Sequence, residues 1–351
     1  MNKKIRLEYI DLLKFLSIFA IIAVHVFKVW QYPQIWNIDI YAFSNFVKFG
    51  VPVFVMISGA LLLNKDIEII PFLKKRIARI VYPFIFYYII TSIFIVFIMN
   101  STHDQVTNIF AFRWYFWMII GVYLSIPIIN KFIQNASEFE IKYFLYLFLI
   151  ASVFYDITYY FGIEQYLYLN LFVSPFGYLV LGYYLSKHDF KISTNRLIAI
   201  AIILFILATF AKFCGQMNII PMTENYLHSS SPIVSSWLDL NIFEIIQASS
   251  VFLICRYIYE SGSGLFSYVK RFLQKGIVSK FILSVSRASY GMYLINLIPC
   301  FLYYYLRKIP FSGTEICMLI LALSVATFII SWLVIVILGK IPYIKYLSGY
   351  Y

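Results

Sequence analysis

Asp11, Lys14 and His25 bring a carboxylate, an ammonium and a titratable imidazole into the first long apolar run of the sequence. Eleven positions separate Lys14 from His25. At about 100° per residue that is three helical turns plus about 20°, so on a helix the two side chains share a face, about 16 Å apart along the axis. Asp11 precedes Lys14 by three residues, points the same way and can pair with it. One helix then presents a carboxylate, an ammonium and an imidazole along a single face. The plain alternative is that Asp11 and Lys14 neutralise each other near a membrane interface while His25 hydrogen-bonds a neighbouring helix. A titratable imidazole deep in an apolar span, aligned with a charged pair, is also a natural general base or proton relay.

Elsewhere the isolated signals have plain readings. Arg76 and Arg79 share a helical face and would serve as topology anchors. Trp114 suits an interfacial anchor, and Ser58 with Gly59 suits a close contact between helices. His103, His188 and His228 fall in separate connectors without ligand spacing, so no metal site is expected. Cys214, Cys255, Cys300 and Cys317 stand singly in or beside apolar stretches with no CxxC spacing, and read as small buried hydrophobes.

The elements that must position these residues are transmembrane helices. The chain has 351 residues, 62% of them hydrophobic and only 13% charged, against about a quarter charged in an ordinary soluble domain. Apolar stretches near the roughly 20 residues needed to cross a bilayer recur throughout, which predicts an all-α integral membrane protein and a single membrane-embedded domain over residues 1–351. We place about ten helices at roughly 9–30, 43–63, 79–99, 111–131, 142–161, 168–186, 196–214, 240–258, 281–304 and 315–338. The basic start with Lys3, Lys4 and Arg6 lacks a small-x-small cleavage signature downstream and reads as leading into an uncleaved first helix.

An even number of spans puts both termini on one side. With the N-terminus inside, the inner connectors hold twenty Lys and Arg residues, among them Lys74, Lys75, Arg76, Arg79, Arg256, Lys270 and Arg271. The outer connectors hold six, Lys28, Lys48, Arg113, Lys212, Arg307 and Lys308, with Lys14 and Arg287 set inside the membrane. This bias predicts N-in and C-in, so a reporter fused after Tyr351 is expected in the cytoplasm; finding it outside would mean a miscounted helix. The same placement explains the net charge of +12 without a nucleic-acid partner. The long outer connector from about Gly215 to Asp239 reads as a solvated loop, and Tyr clusters such as Tyr303, Tyr304 and Tyr305 as interfacial belts. No fixed-period repeat and no phosphate-cradling Gly-rich loop is present.

In this setting the stretch from Arg6 to Lys14, followed by the apolar run to His25, resembles the opening of the acyltransferase 3 family, membrane O-acyltransferases that modify surface polysaccharides. Further matches follow in the family's order. Phe54 to Gly59 resembles its second-helix motif, Lys75 to Pro83 its RxxR segment, and Trp114-Tyr115 with Gly121-Val122-Tyr123-Leu124 its fourth-helix signature. Ser289-Tyr290-Gly291-Met292-Tyr293-Leu294 resembles its SYGxYL segment. The chain departs at Lys14, where the family commonly has Arg, and at Asn296, where it commonly has His. Lysine keeps the charge but loses the planar bidentate fork.

The resemblance implies transfer of an acyl group, most simply acetyl, from acetyl-CoA or another acyl-CoA to a hydroxyl of a glycan or lipid-linked glycan. His25 would take the proton from the attacking hydroxyl or carry the acyl group itself, with Asp11 and Lys14 holding the charge balance. Arg76 and Arg79, with Trp114, would hold the donor; Ser58 and Asn296 would contact the acceptor or serve packing. Membrane lipids would be the other partners, in a multi-pass cell-membrane protein. A transporter or flippase of a lipid-linked sugar would also need buried charges and a polar interior, and should show related halves or broken helices in corresponding positions.

Overall fold

The computed structural model describes residues 7–31, 44–98, 114–161, 169, 172, 174–216, 242–306 and 313–351. These residues are helical almost throughout, with no strand among them. In chain order the helices are α1 (Glu8–Gln31), α2 (Gly50–Leu62), α3 (Ile69–Ile93, running into a π turn at Phe94–Ile98), α4 (Trp114–Asn135), α5 (Glu138–Phe161) and α6 (Pro175–Lys187). They continue as α7 (Thr194–Gln216), α8 (Ile242–Glu260), α9 (Leu265–Leu273), α10 (Gly276–Ile295), α11 (Leu297–Leu306) and α12 (Gly313–Leu338).

Eight helical stretches among the described residues are long and apolar enough to cross a bilayer, and a bent pair, α10 with α11, makes a ninth. Their outward faces carry apolar side chains, such as Ile203, Ile206, Leu207 and Phe210 on α7, each more than half exposed. In water such a surface would aggregate; in lipid it is the expected one. The expected segments all recur, with four differences. Helix α3 begins at Ile69 rather than near residue 79, because a helix need not stop where the hydrocarbon does: Lys74, Lys75, Arg76 and Arg79 extend it on the polar side. Of the expected helix at 168–186, residues 168, 170, 171 and 173 lie outside the described residues, and the described α-helix is Pro175–Lys187, 13 residues capped by Ser174, about 20 Å of rise and by itself short of a full crossing. The expected helix at 281–304 is broken at Asn296 by a bend of 50°. Finally, the connector after α8 contains the amphipathic α9. Its Phe266 and Leu273 pack on a core of Leu197, Ile198, Tyr257 and Ile258, while Tyr268 and Phe272 are exposed beside Lys270 and Arg271.

The contacts divide the chain into two compact units. The first is Met1–Ser17, Lys48–Lys65 and Ile128–Leu283; the second is Ile18–Val47, Asp66–Pro127 and Ser284–Tyr351. In the first, α2 and α6 approach backbone to backbone. A Cβ at Gly59 would fall on the Leu179 carbonyl and one at Gly182 on that of Met56, so only glycine permits the approach. Arg256, counted with the inner connectors, is buried inside α8. Its guanidinium donates to the carbonyls of Leu185 and His188 at 2.6 and 2.7 Å and pairs with Asp189 and Glu260, satisfying the end of α6. Lys212, counted with the outer connectors, likewise lies inside α7: it is buried, bonded to Gln247 at 3.2 Å and 3.8 Å from Glu244. Mutual neutralisation is what lets a lysine and a glutamate sit that deep.

In the second unit, α3 and α4 meet through stacked Phe84 and Phe116. Helix α12 is tied to α1 by Phe19 against Phe328, to α10 by a bond from Trp332 Nε1 to Ser284 Oγ, and to α11 by the Tyr303 and Thr327 hydroxyls. Beyond α12 the chain folds back in turns over residues 339–349.

Candidate active site

Helix α1 runs unbroken from Glu8 to Gln31 and carries all three charged or titratable residues singled out in its sequence. The boundary between the units falls within it, after Ser17, so buried Asp11 and half-buried Lys14 belong to the first unit and His25 to the second. Ser58 is also in the first unit, half-buried, its hydroxyl bonded back to the Phe54 carbonyl at 3.1 Å, one turn earlier. The second unit gathers the others: His25, Asn296, Trp114, Arg76 and Arg79.

His25 Nδ1 lies 2.7 Å from Asn296 Oδ1. Asn296 is fully buried at the break between α10 and α11, where its backbone N–H still donates to the Met292 carbonyl at 3.1 Å. Its side-chain amide adds to this: Nδ2 donates to the carbonyls of Met292 at 3.1 Å and Tyr293 at 2.7 Å. Those two bonds fix which end of the amide faces the histidine, since a flipped amide would turn its oxygen onto two carbonyl oxygens. With Oδ1 as acceptor, Nδ1 of His25 carries the proton, which puts the lone pair of the neutral ring on Nε2. Asparagine thus supplies the orienting contact at a position where the family commonly has histidine.

Tyrosines lead away from this pair. The Tyr293 ring lies 6.3 Å from that of His25 and 5.1 Å from that of Tyr115, and stacks with Tyr290 at 6.3 Å. Tyr290 in turn donates to the Ile80 carbonyl at 2.8 Å, one residue past Arg79. Trp114, the first residue of α4, is half-buried and packs edge-on against Tyr115. Tyr293 and Tyr115 were not chosen from sequence as site residues. Tyr290 and Tyr293, one turn apart at i and i+3, share a face, a signal that could have found Tyr293.

Arg76 and Arg79 sit one turn apart on α3. Arg76 is half-buried with its guanidinium over Phe72 at 5.8 Å, and Arg79 is exposed with its guanidinium over Tyr351 at 5.2 Å. The two charges feel each other and the hydroxyl of Tyr123. Among the described residues neither pairs with a carboxylate. Two like charges held together without one form a site that an anion stabilises. Replacing both with Gln should raise the dissociation constant for acetyl-CoA by about tenfold or more at low salt, from the loss of charge-assisted hydrogen bonds. The difference from wild type should shrink as salt screens the site. Titration of acetyl-CoA into a correctly inserted double variant checks this; unchanged affinity would return the pair to the role of anchors.

Among the described residues no three His, Cys, Asp or Glu groups cluster as metal ligands. Searches of curated proteins and of solved structures find no match. A family model described as an acyltransferase domain matches residues 7–336, a stretch that takes in α1 with His25, the arginine pair of α3 and the broken α10–α11 helix with Asn296. The agreement of that match with the order of motifs along the helices shows that the chain belongs to the acyltransferase 3 family of membrane acyltransferases.

Proposed function

We propose that this membrane acyltransferase moves an acyl group, most simply acetyl, from acyl-CoA to a hydroxyl of a cell-surface or lipid-linked glycan, with His25 as general base. The 2.7 Å contact from His25 to Asn296 carries this reading, because it puts a basic nitrogen, Nε2, at a defined place in an apolar span. In the proposed step Nε2 takes the proton of the acceptor hydroxyl as its oxygen attacks the thioester carbonyl. The tetrahedral intermediate collapses with cleavage of the C–S bond, and the departing thiolate receives the proton from the imidazolium. Atoms and charge balance without any further reagent. Arg76 and Arg79 hold donor phosphates on the side that the charge bias assigns to the cytoplasm, with Trp114 at the start of α4 as an aromatic wall. Asp11 and Lys14 remain the charged pair of α1, and Ser58 a packing contact or acceptor contact.

Two features support a glycan acceptor at the membrane: family membership, and a catalytic residue placed within a span rather than in a soluble domain. The expected result is that mass analysis of surface glycans shows an acyl increment with the gene and none without it. Identical glycans in the two strains would remove the proposed acceptor class. One observation favours the transporter reading, the helix broken at Asn296, since transport sites use discontinuous helices. Release of coenzyme A thiol from acyl-CoA by purified protein separates the two classes: an acyltransferase releases it and a flippase does not.

A further inference from the structure

We propose that the turns following α12 are part of the donor site, and that Tyr351 is a positioning residue that holds the Arg79 guanidinium ready for phosphate. The proposal rests on the reading that Arg76 and Arg79 grip the donor.

Residues 348–351 are clamped within the second unit. The Ser348 carbonyl accepts from the Tyr87 hydroxyl at 3.1 Å, and its side chain ties Lys345 O to Tyr350 N. Gly349 has φ +73°, a conformation side-chain-bearing residues rarely adopt, and a Cβ there would come within 2.9 Å of Gly291 N. From the other side, a Cβ at Gly291 would fall 2.3 Å from the Ser348 carbonyl. The SYGxYL glycine thus makes room for this strap, which no local role in α10 requires. The Tyr351 N–H then donates to the Arg287 carbonyl at 2.9 Å.

So held, Tyr351 touches Arg79 twice: its hydroxyl donates to the Arg79 carbonyl at 2.7 Å, and its ring lies under the Arg79 guanidinium at 5.2 Å. Burial pushes the Tyr351 phenol up to about 12, against the opposite pull of Arg79, so the hydroxyl keeps its proton and stays a donor near neutral pH. A ring-face contact occupies none of the guanidinium's N–H donors and therefore costs it none of its capacity to bond phosphate. It does restrict the side-chain rotamers, and freedom lost before the donor arrives is not lost on binding.

The experiment is titration of acetyl-CoA into the purified full-length protein, with thermal melting measured for every variant. Tyr351→Leu should weaken binding about fivefold to tenfold, as expected for loss of a cation–π contact, while Tyr351→Phe and Tyr351→Trp, which keep a ring, stay within about threefold of wild type. In an Arg79→Gln background Tyr351→Leu should add nothing, since the two act as one unit. Wild-type affinity in Tyr351→Leu beside weakened Arg79→Gln would overturn the positioning role and leave the donor reading standing. Unchanged affinity in Arg79→Gln itself would overturn both. Equal losses in the Leu, Phe and Trp variants, or a full additional loss in the double variant, would show that Tyr351 acts on the fold rather than through Arg79. Should Tyr351→Leu melt early, the Phe and Trp variants compared with Arg79→Gln carry the same decision.

Discussion

His25→Ala is expected to lower acyl transfer by two orders of magnitude or more while the protein stays folded, with only a small drop in melting temperature. The magnitude follows from the role: a positioned general base contributes on the order of 10²–10⁴-fold. The retained fold follows from the surroundings. His25 is half-buried, whereas Ile22, Ala23, Val26 and Phe27, which hold this part of α1 in its unit, are fully buried and untouched by the change. The substitution leaves Asn296 Oδ1 without its histidine, but Nδ2 keeps both backbone bonds, so the bend between α10 and α11 keeps its support. A purely structural histidine would give the opposite pattern, near-normal turnover with a lowered melting temperature. The two variants, wild type and His25→Ala, are compared after purification in the same detergent.

Asn296→Leu should cost about 100-fold in turnover, close to the effect of His25→Ala, because a base displaced or turned by about 1 Å loses that much. Leucine removes the acceptor that keeps the proton on Nδ1 and also the donors that cap the Met292 and Tyr293 carbonyls, so some loss of stability accompanies it. Asn296→His separates the two effects. An imidazole can accept from Nδ1 of His25, and the family commonly has histidine here, so this variant is expected within about tenfold of wild type. Turnover in Asn296→Leu equal to wild type would show that His25 needs no orienting partner.

The helices could be read from sequence because bilayer thickness sets their length and every backbone polar group in lipid must be satisfied within the segment. What that rule does not see was missed. Helix α9 is only nine residues and never crosses. Charges at Lys74 to Arg79 mark where a span meets water, not where α3 starts. Lys212 reads as an outer charge until Glu244 and Gln247 of α8 are seen beside it. The site divides the same way. His25 was visible because an imidazole in an apolar run is conspicuous. Asn296 was singled out only through the family resemblance, and its pairing with His25 was not legible: the two lie 271 positions apart, and no spacing rule reaches across that distance. Tyr351 was hidden because tyrosines near span ends are expected as interfacial belts, and Tyr293 was seen only as part of the SYGxYL match; three-dimensional contact is what sets these two apart.

Acetyl-CoA labelled in the acetyl group would show whether His25 drives acyl-CoA-dependent transfer to a surface glycan. Membranes containing equal amounts of wild-type or His25→Ala protein are given the label, and the glycan fraction is recovered and counted. Wild type should place acetyl label in the glycan fraction, released by mild alkali as expected for an ester, and His25→Ala at least a hundredfold less. Equal labelling by the two proteins, or none by wild type while coenzyme A thiol fails to appear, would contradict this role of His25.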